Sequence, residues 1–585
     1  MAAPGLVPVE ATLVSGRGDT RQSIATRSLL LRAVDSNAQR NISFVSAIDG
    51  SVQYYTVVPP IAAAGGTANA SVGLILALHG GGGNRSEDMA SSYKPKDFAI
   101  IVCPSNRRPL GASWEDWGRL DALEVLAQAQ QRFHTDPRRQ WLTGIPMGGH
   151  GTWQLGAHFP DRFAAIAPSA GWISFRFGEY RGAGSVPGER DVADMFIRAR
   201  SPSDQLLLGR NYSGLGVYVL HGGADEVVPV AQPRAMRRYL AAEDGGNHTD
   251  FVYHERPGAP HWWGNECVDW PPLVRFLAEH TLPDPEDVDR VEFITAAPWV
   301  SSTCRWVTID QQIEPMRPSS VAITRSDRGY EGTTANVARI GLAVPRLGDG
   351  PIAVRLDGTE AQVPRPNDRS VPLWLARDGG AWRVDDVGGG KTGARGGPFR
   401  EVFRNHMLFV YGTAGDDASD ARLLAKARYD AETWWYHANG AVEVIPDAAF
   451  DAKADRDRNV VLYGNADTNG AWRDLLPTCP VLVRNGSVKV GGRTIAGEDL
   501  ACVFVYPRAG SATASVGVVA GTSAIGDRLT WRFTYFWPNG AYPDLTVFSP
   551  DSVNRDAAGI RLAGYFSNRW TVEGGTWGET SAPTQ

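Results

Sequence analysis

No stretch of this chain approaches the roughly 18 consecutive apolar residues that a membrane-crossing helix needs, and Met1 to Glu10 lacks the basic start and apolar centre of a secretory leader. The chain as it stands is therefore expected to be soluble and cytoplasmic, with secretion open if a leader has been removed. Cysteine is scarce. The five present (Cys103, Cys267, Cys304, Cys479, Cys502) are odd in number, scattered and never paired as C-x-x-C, which argues against a disulfide framework or a zinc site and reads them as small buried hydrophobes. Basic blocks are missing too. Lys and Arg total 58 against 64 Asp and Glu, a formal net charge of −6, so nothing attracts nucleic acid or an anionic membrane. Neither a repeat nor a low-complexity tract is detectable.

What is present is ample core material: 43% apolar residues and 19 Trp in 585 residues, enough for about three or four units of ordinary size. Ile42 to Ile48 and Val52 to Val58 are β-type runs separated by Asp49 and Gly50, a pair suited to a tight hairpin turn. Val72 to Leu78 is a nearly unbroken apolar strand of the kind buried in a parallel sheet. Phe98 to Cys103, Trp141 to Thr143, Phe163 to Ser169 and Gly216 to Leu220 read as further strands. Leu120 to Phe133 and Gly151 to Phe159 have helical spacing, and the alternation predicts a doubly wound, mostly parallel sheet.

Four signals in this part carry chemistry. His79 to Gly83 is a glycine run at a strand end, where backbone N–H groups can approach a substrate closely enough to hold an oxyanion. Gly144, Ile145, Pro146, Met147, Gly148, Gly149 lies between a strand and a helix, where a nucleophile elbow would present a serine hydroxyl. Here the central residue is proline. Its ring locks φ near −65° and it has no hydroxyl, so it supplies neither the attacking atom nor the strained turn that exposes one. Asp225, in His221 to Pro229, follows the strand Gly216 to Leu220, the place of a triad acid. His261 lies between a Gly/Pro turn and two tryptophans. Singly, such an Asp is most often a turn residue and such a His structural, but the chain order elbow, Asp, His raises both.

From Val72 to Phe276 the chain resembles the α/β-hydrolase serine hydrolases of the prolyl-oligopeptidase and carboxylesterase type, including polymer-ester depolymerase-like esterases. The carrying runs are His79 to Gly83, GIPMGGHGTW, HGGADEVVP and PHWWG. The resemblance implies that Asp225 and His261 match the acid and base, that Gly81, Gly82 and Met147 match the oxyanion donors, and that Pro146 occupies the nucleophile's place. Ile145 is a second departure, since relatives of this type often carry His or another polar or small residue there. Ser169 is the nearest substitute nucleophile by chain logic, with Ser105 and Ser113 on another sheet-end loop. Two functions stay open: a hydrolase relative that has lost the covalent route and binds a small-molecule or polymer ester or peptide, and a working ester or peptide hydrolase with a displaced nucleophile. His261 and Asp225 acting on water without a covalent step is a further route. Neither cofactor nor metal is expected.

Thr281 to Arg290 is rich in Pro and Asp and reads as a linker. Beyond it, short runs such as Trp306 to Ile309, Val321 to Thr324, Val337 to Val344 and Ile352 to Leu356 suggest a small β-sandwich. Met407 to Tyr411, Ala421 to His437, Val442 to Ile445, Val460 to Tyr463, Cys502 to Tyr506 and Val516 to Val519 suggest a second α/β unit. Its loop Gly464 to Asn469 sits at a strand end, where open sheets bind ligands, although no phosphate-binding glycine motif follows it. The expected organisation is an extension over 1–40, an α/β-hydrolase unit over 41–282, a β-rich unit over 285–370 and an α/β unit over 371–585.

Overall fold

The computed structural model describes residues 5–15, 21–61, 72–82, 85–174, 190–241, 248–345, 347–385, 387–454, 456–537, 540–555 and 559–580. An eight-stranded sheet organises the first unit. Its strands are β1 (Arg40–Val45), β2 (Val52–Val58), β3 (Gly73–Leu78), β4 (Ala99–Pro104), β5 (Gln140–Gly144), β6 (Ala165–Pro168), β7 (Gly216–Gly222) and β8 (Phe251–Arg256). They lie in the order β8-β7-β6-β5-β3-β4-β2-β1. β2 runs antiparallel to both β1 and β4, and the remaining pairs are parallel.

The centre of this sheet is apolar on both faces because helices cover both. Along β3, Leu74, Leu76 and Leu78 enter one core, and Ile75 and Ala77 enter the other, the period-2 alternation of a strand. The first core is closed by α1 (Asp116–Phe133), through Ala122, Val125, Leu126 and Ala129, and by α2 (Met147–His158), through Trp153 and Leu155. Met89 and Ala90 of the short helix Ser86–Ser91 and Leu273 and Leu277 of Pro271–Glu279 close the second.

Two details differ from the sequence reading. The tight hairpin expected at Asp49 and Gly50 is a longer connection, because β1 stops at Val45, which pairs with Val52. Asp49 is drawn inward instead, taking Arg107 at 2.5 Å and Trp434 Nε1 at 2.9 Å. The first long helix starts at Asp116, a turn before the expected Leu120, and this brings Trp117 onto its inner side. Trp117 packs edge-on against Trp434 at 4.7 Å and donates to the Phe403 carbonyl at 2.9 Å, fastening the first unit to the C-terminal part.

Two five-stranded sheets follow, running from Arg290–Thr295 to Ala381–Val384 and sharing one core around Val307, Ile309, Ile323 and Ile340. Leu373–Asp378 and Ala381–Val384, past residue 370, pair into the second of these sheets. The C-terminal part holds a second eight-stranded sheet. Leu408–Tyr411, Glu443–Pro446, Val460–Tyr463 and Ser515–Gly521 are mutually parallel, and the other strands are antiparallel. The helix Asp417–Ala438 packs on it, its first turn capped by Asp416, which accepts from Ser419 N–H at 2.7 Å. Gly5–Ser15 and Gln22–Ala33 form a separate two-stranded antiparallel ribbon whose side chains are almost all exposed.

Candidate active site

The strand β5 runs straight into α2 through Gly144, Ile145 and Pro146. Pro146 stands at the head of the helix with φ −71° and ψ −40°, ordinary helical values and far from the left-handed turn of an elbow. The glycines around it are there because backbone packs against backbone. A Cβ on Gly148 would collide with the Leu78 carbonyl, one on Gly149 with the Ser169 carbonyl, and one on Gly151 with the Trp114 side chain. The turn therefore keeps a close strand–helix crossing, and its central residue carries no hydroxyl.

Gly81 and Met147 are neighbours. A Cβ built on Gly81 would lie 3.9 Å from Met147 Sδ, and Gly82 has φ +76°, a conformation that favours glycine. Gly83, the end of the glycine run, lies outside the described residues. The loop is anchored by His79, which is fully buried, contacts the Gly80 and Ser105 carbonyls at 2.7 and 3.0 Å and sits edge-on to Trp114 at 5.0 Å. Burial lowers the pKa of His79, against the pull of those carbonyls.

Asp225 and His261 meet at the C-terminal ends of β7 and β8. His261 Nδ1 lies 2.8 Å from Asp225 Oδ2, and Asp225 Oδ1 accepts the Val227 and Val228 N–H groups, each at 2.8 Å. His221, the last residue but one of β7, brings Nε2 to within 3.2 Å of the same Oδ2 while facing the Val228 carbonyl at 3.0 Å. Burial alone would raise the Asp225 carboxyl. The hydrogen bonds from His221, His261 and Val228 outweigh it and hold the group well below the usual carboxylate range. An imidazole that donates Nδ1–H to such a carboxylate keeps its lone pair on Nε2, where a general base needs it. Nε2 of His261 has no hydrogen-bond partner among the described residues.

None of the serines suggested as substitutes is hydrogen-bonded to His261. Ser169 is fully buried and donates its hydroxyl to the Cys267 carbonyl at 2.6 Å. Ser105 accepts from the Arg107 N–H at 3.2 Å. Ser113 is buried in a left-handed turn at φ 55°, and no hydrogen bond joins it to His261. His221 was visible in the sequence only as the start of the HGGADEVVP run; its second contact to Asp225 depends on the curl of the loop and leaves no local pattern. The Gly464 to Asn469 loop spends its polar groups on its own frame. Asn465 Nδ2 donates to the Gly521 carbonyl and Asn469 Nδ2 to those of Val410 and Tyr463.

No family model matches the chain. It is 23% identical over 572 residues to an uncharacterised secreted protein of Arthroderma benhamiae, a match that spans 90% of this chain and 58% of that protein. It is 30% identical over 148 residues to an Escherichia coli (strain K12) protein that bears the name carboxymethylenebutenolidase, spanning 25% of this chain and 46% of that one. The chain thus spans about half the length of the curated relatives it matches. Among solved structures it is similar to the fluorophosphonate-binding serine hydrolase F of Staphylococcus aureus, with 14% identity, TM-score 0.31 and coverage of 41% of this chain and 98% of that one. It is also similar to a ferulic acid esterase of Anaeromyces mucronatus, with 16% identity, TM-score 0.31 and coverage of 42% and 92%. The mixed sheet of the first unit fits the α/β-hydrolase fold. No helix among the described residues is long and apolar enough to cross a membrane.

Proposed function

We propose that this protein binds an ester- or peptide-like ligand in a hydrolase-type cleft and does not form an acyl-enzyme. One observation carries the reading: the position that would hold the attacking serine holds Pro146 at the head of a regular helix, while the nearest substitute hydroxyl, Ser169, is given to the Cys267 carbonyl. Without a nucleophile on His261, the first bond of the covalent route cannot form. In this reading Gly81, Gly82 and Met147 polarise the ligand carbonyl, and Asp225 and His261 form its polar wall. The two five-stranded sheets act as a sandwich and the last part as a second α/β unit, both packed as support for the first. The secreted name of the Arthroderma benhamiae relative favours an extracellular setting.

A second reading is supported by the partnerless Nε2 of His261, held in the base tautomer by Asp225: water activation without a covalent step, which would be slow. A fluorophosphonate probe separates the possibilities. No labelling of the parent is expected, whereas labelling at Ser169 would establish a displaced nucleophile and overturn the proposal. Ester turnover without labelling, abolished by His261→Ala, would mark the water route.

A further inference from the structure

At the junction of the three parts of the molecule a cavity of ≈ 90 Å³ is lined by Arg119 from α1, Arg200, and Arg400 and Arg404 from the C-terminal part, with Trp117 and Tyr542 among its walls. Four guanidinium groups against the three carboxylates of Glu115, Asp116 and Glu401 leave the lining with an excess of positive charge. Glu115 is spent elsewhere, and Glu401 and Asp116 each neutralise one of these arginines. Glu115 receives His150 Nε2 at 2.9 Å and Gln154 on one oxygen and the Ser203 hydroxyl at 2.6 Å on the other. Glu401 receives the Gly396 and Gly397 N–H groups on one oxygen and Arg404 on the other. Asp116 is paired with Arg400 at 2.8 Å.

Donors remain. The Arg400 side chain is 9% exposed, uses Nη1 on Asp116 and on the Gly540 carbonyl, and leaves Nε and Nη2 buried without a partner. Nε of Arg404 is likewise buried and unpartnered. Arg119 is 6% exposed, and no hydrogen bond or ion pair engages its side chain among the described residues. Burial pulls the Arg119 pKa down; Arg400 and Arg404 add to that and Asp116 and Glu115 oppose it. The buried, partnerless nitrogens of Arg400 and Arg404 carry a desolvation cost that an anion would relieve. The N-terminus of the 18-residue helix α1 opens onto the same space, and its dipole favours the same sign of guest.

We propose that this cavity is a binding site for a compact oxyanion, a phosphate or carboxylate group, held by Arg119, Arg400 and Arg404 across the junction between α1 and the C-terminal part. Guanidinium pairs both groups through parallel N–H donors, and the volume suits a few heavy atoms, well below the roughly 300 Å³ at which drug-sized ligand pockets begin. The site is independent of Asp225 and His261.

Calorimetric titration of the full chain with inorganic phosphate and, separately, with acetate tests it, against sodium chloride at equal ionic strength. Millimolar or tighter binding of at least one oxyanion is expected, with a rise in Tm that chloride does not reproduce. Arg119→Gln should weaken that binding at least tenfold, because it removes one of the three guanidinium groups that hold the anion. Arg404→Gln should also weaken it and carries the test should Arg119→Gln fail to fold; His261→Ala should leave it unchanged. Binding of neither anion, or equal binding by parent and both arginine variants, would overturn the proposal.

Discussion

His261 Nδ1 and Asp225 Oδ2 stand 2.8 Å apart, although 36 residues separate them in the chain and no serine completes their line. A pair kept in this geometry has a structural consequence as well as a chemical one. The Asp225 carboxylate, also facing His221 and two backbone N–H groups, ties the loop after β7 to the loop that bears His261.

Asp225→Asn should therefore loosen both loops. Because the folded Asp225 carboxyl lies below its ordinary range, the stability it contributes is present above the unfolded pKa and is lost as pH falls through the lower, folded value. Denaturant midpoints of parent and variant, measured from pH 7 down to pH 2, are expected to differ at neutral pH and to converge toward the acid end. A constant difference across that range would contradict the assignment.

Asp121 predicts the opposite slope. It is fully buried on α1, and burial pushes its carboxyl up to about 7 against the favourable charge of Arg107. A group raised on folding stabilises below its unfolded pKa, near 4, and that contribution is lost as pH rises through about 7. Asp121→Asn is expected to raise stability at pH 8 by on the order of a few kcal/mol and to change it little at pH 4. Equal effects at the two pH values would show that the group titrates normally.

The crossing of β5 and α2 should tolerate no side chain. Gly148→Ala places a methyl group on the Leu78 carbonyl, a backbone atom that cannot step aside. A loss of about 1–3 kcal/mol or more is expected from overpacking, read as a lower denaturation midpoint with an unchanged m-value. Wild-type stability in this variant would mean that the strand and helix are further apart than described.

The first sheet was legible because its central strands are nearly unbroken apolar runs and its turns are marked by glycine. β8, Phe251–Arg256, was not, since its His254, Glu255 and Arg256 read as a polar loop and only its place at the sheet edge makes room for them. The helix Pro271–Glu279 was hidden behind Pro271 and Pro272, which suit a helix's first turn but look like breakers in isolation. Asp225 and His261 were singled out by their motifs and chain order, and their side chains lie 2.8 Å apart. The union of Asp49, Arg107 and Trp434 could not, because partners hundreds of residues apart in sequence leave no local trace. The four arginines of the junction cavity are invisible in sequence for the same reason.

The most direct test of the account is ester hydrolysis by Pro146→Ser beside the parent and the double variant Pro146→Ser, His261→Ala. Serine supplies a hydroxyl and frees φ from the proline ring, while Asp225 and His261 already stand 2.8 Å apart. The restored variant is expected to label with a fluorophosphonate and to gain activity on small activated esters. The gain should run to several kcal/mol in barrier where the triad reassembles, since loss of a triad costs on the order of 10⁶ in rate. The parent and the double variant should stay near background. Parent activity equal to that of Pro146→Ser, or no gain in Pro146→Ser, would contradict the claim that a single proline stands between this site and covalent hydrolysis.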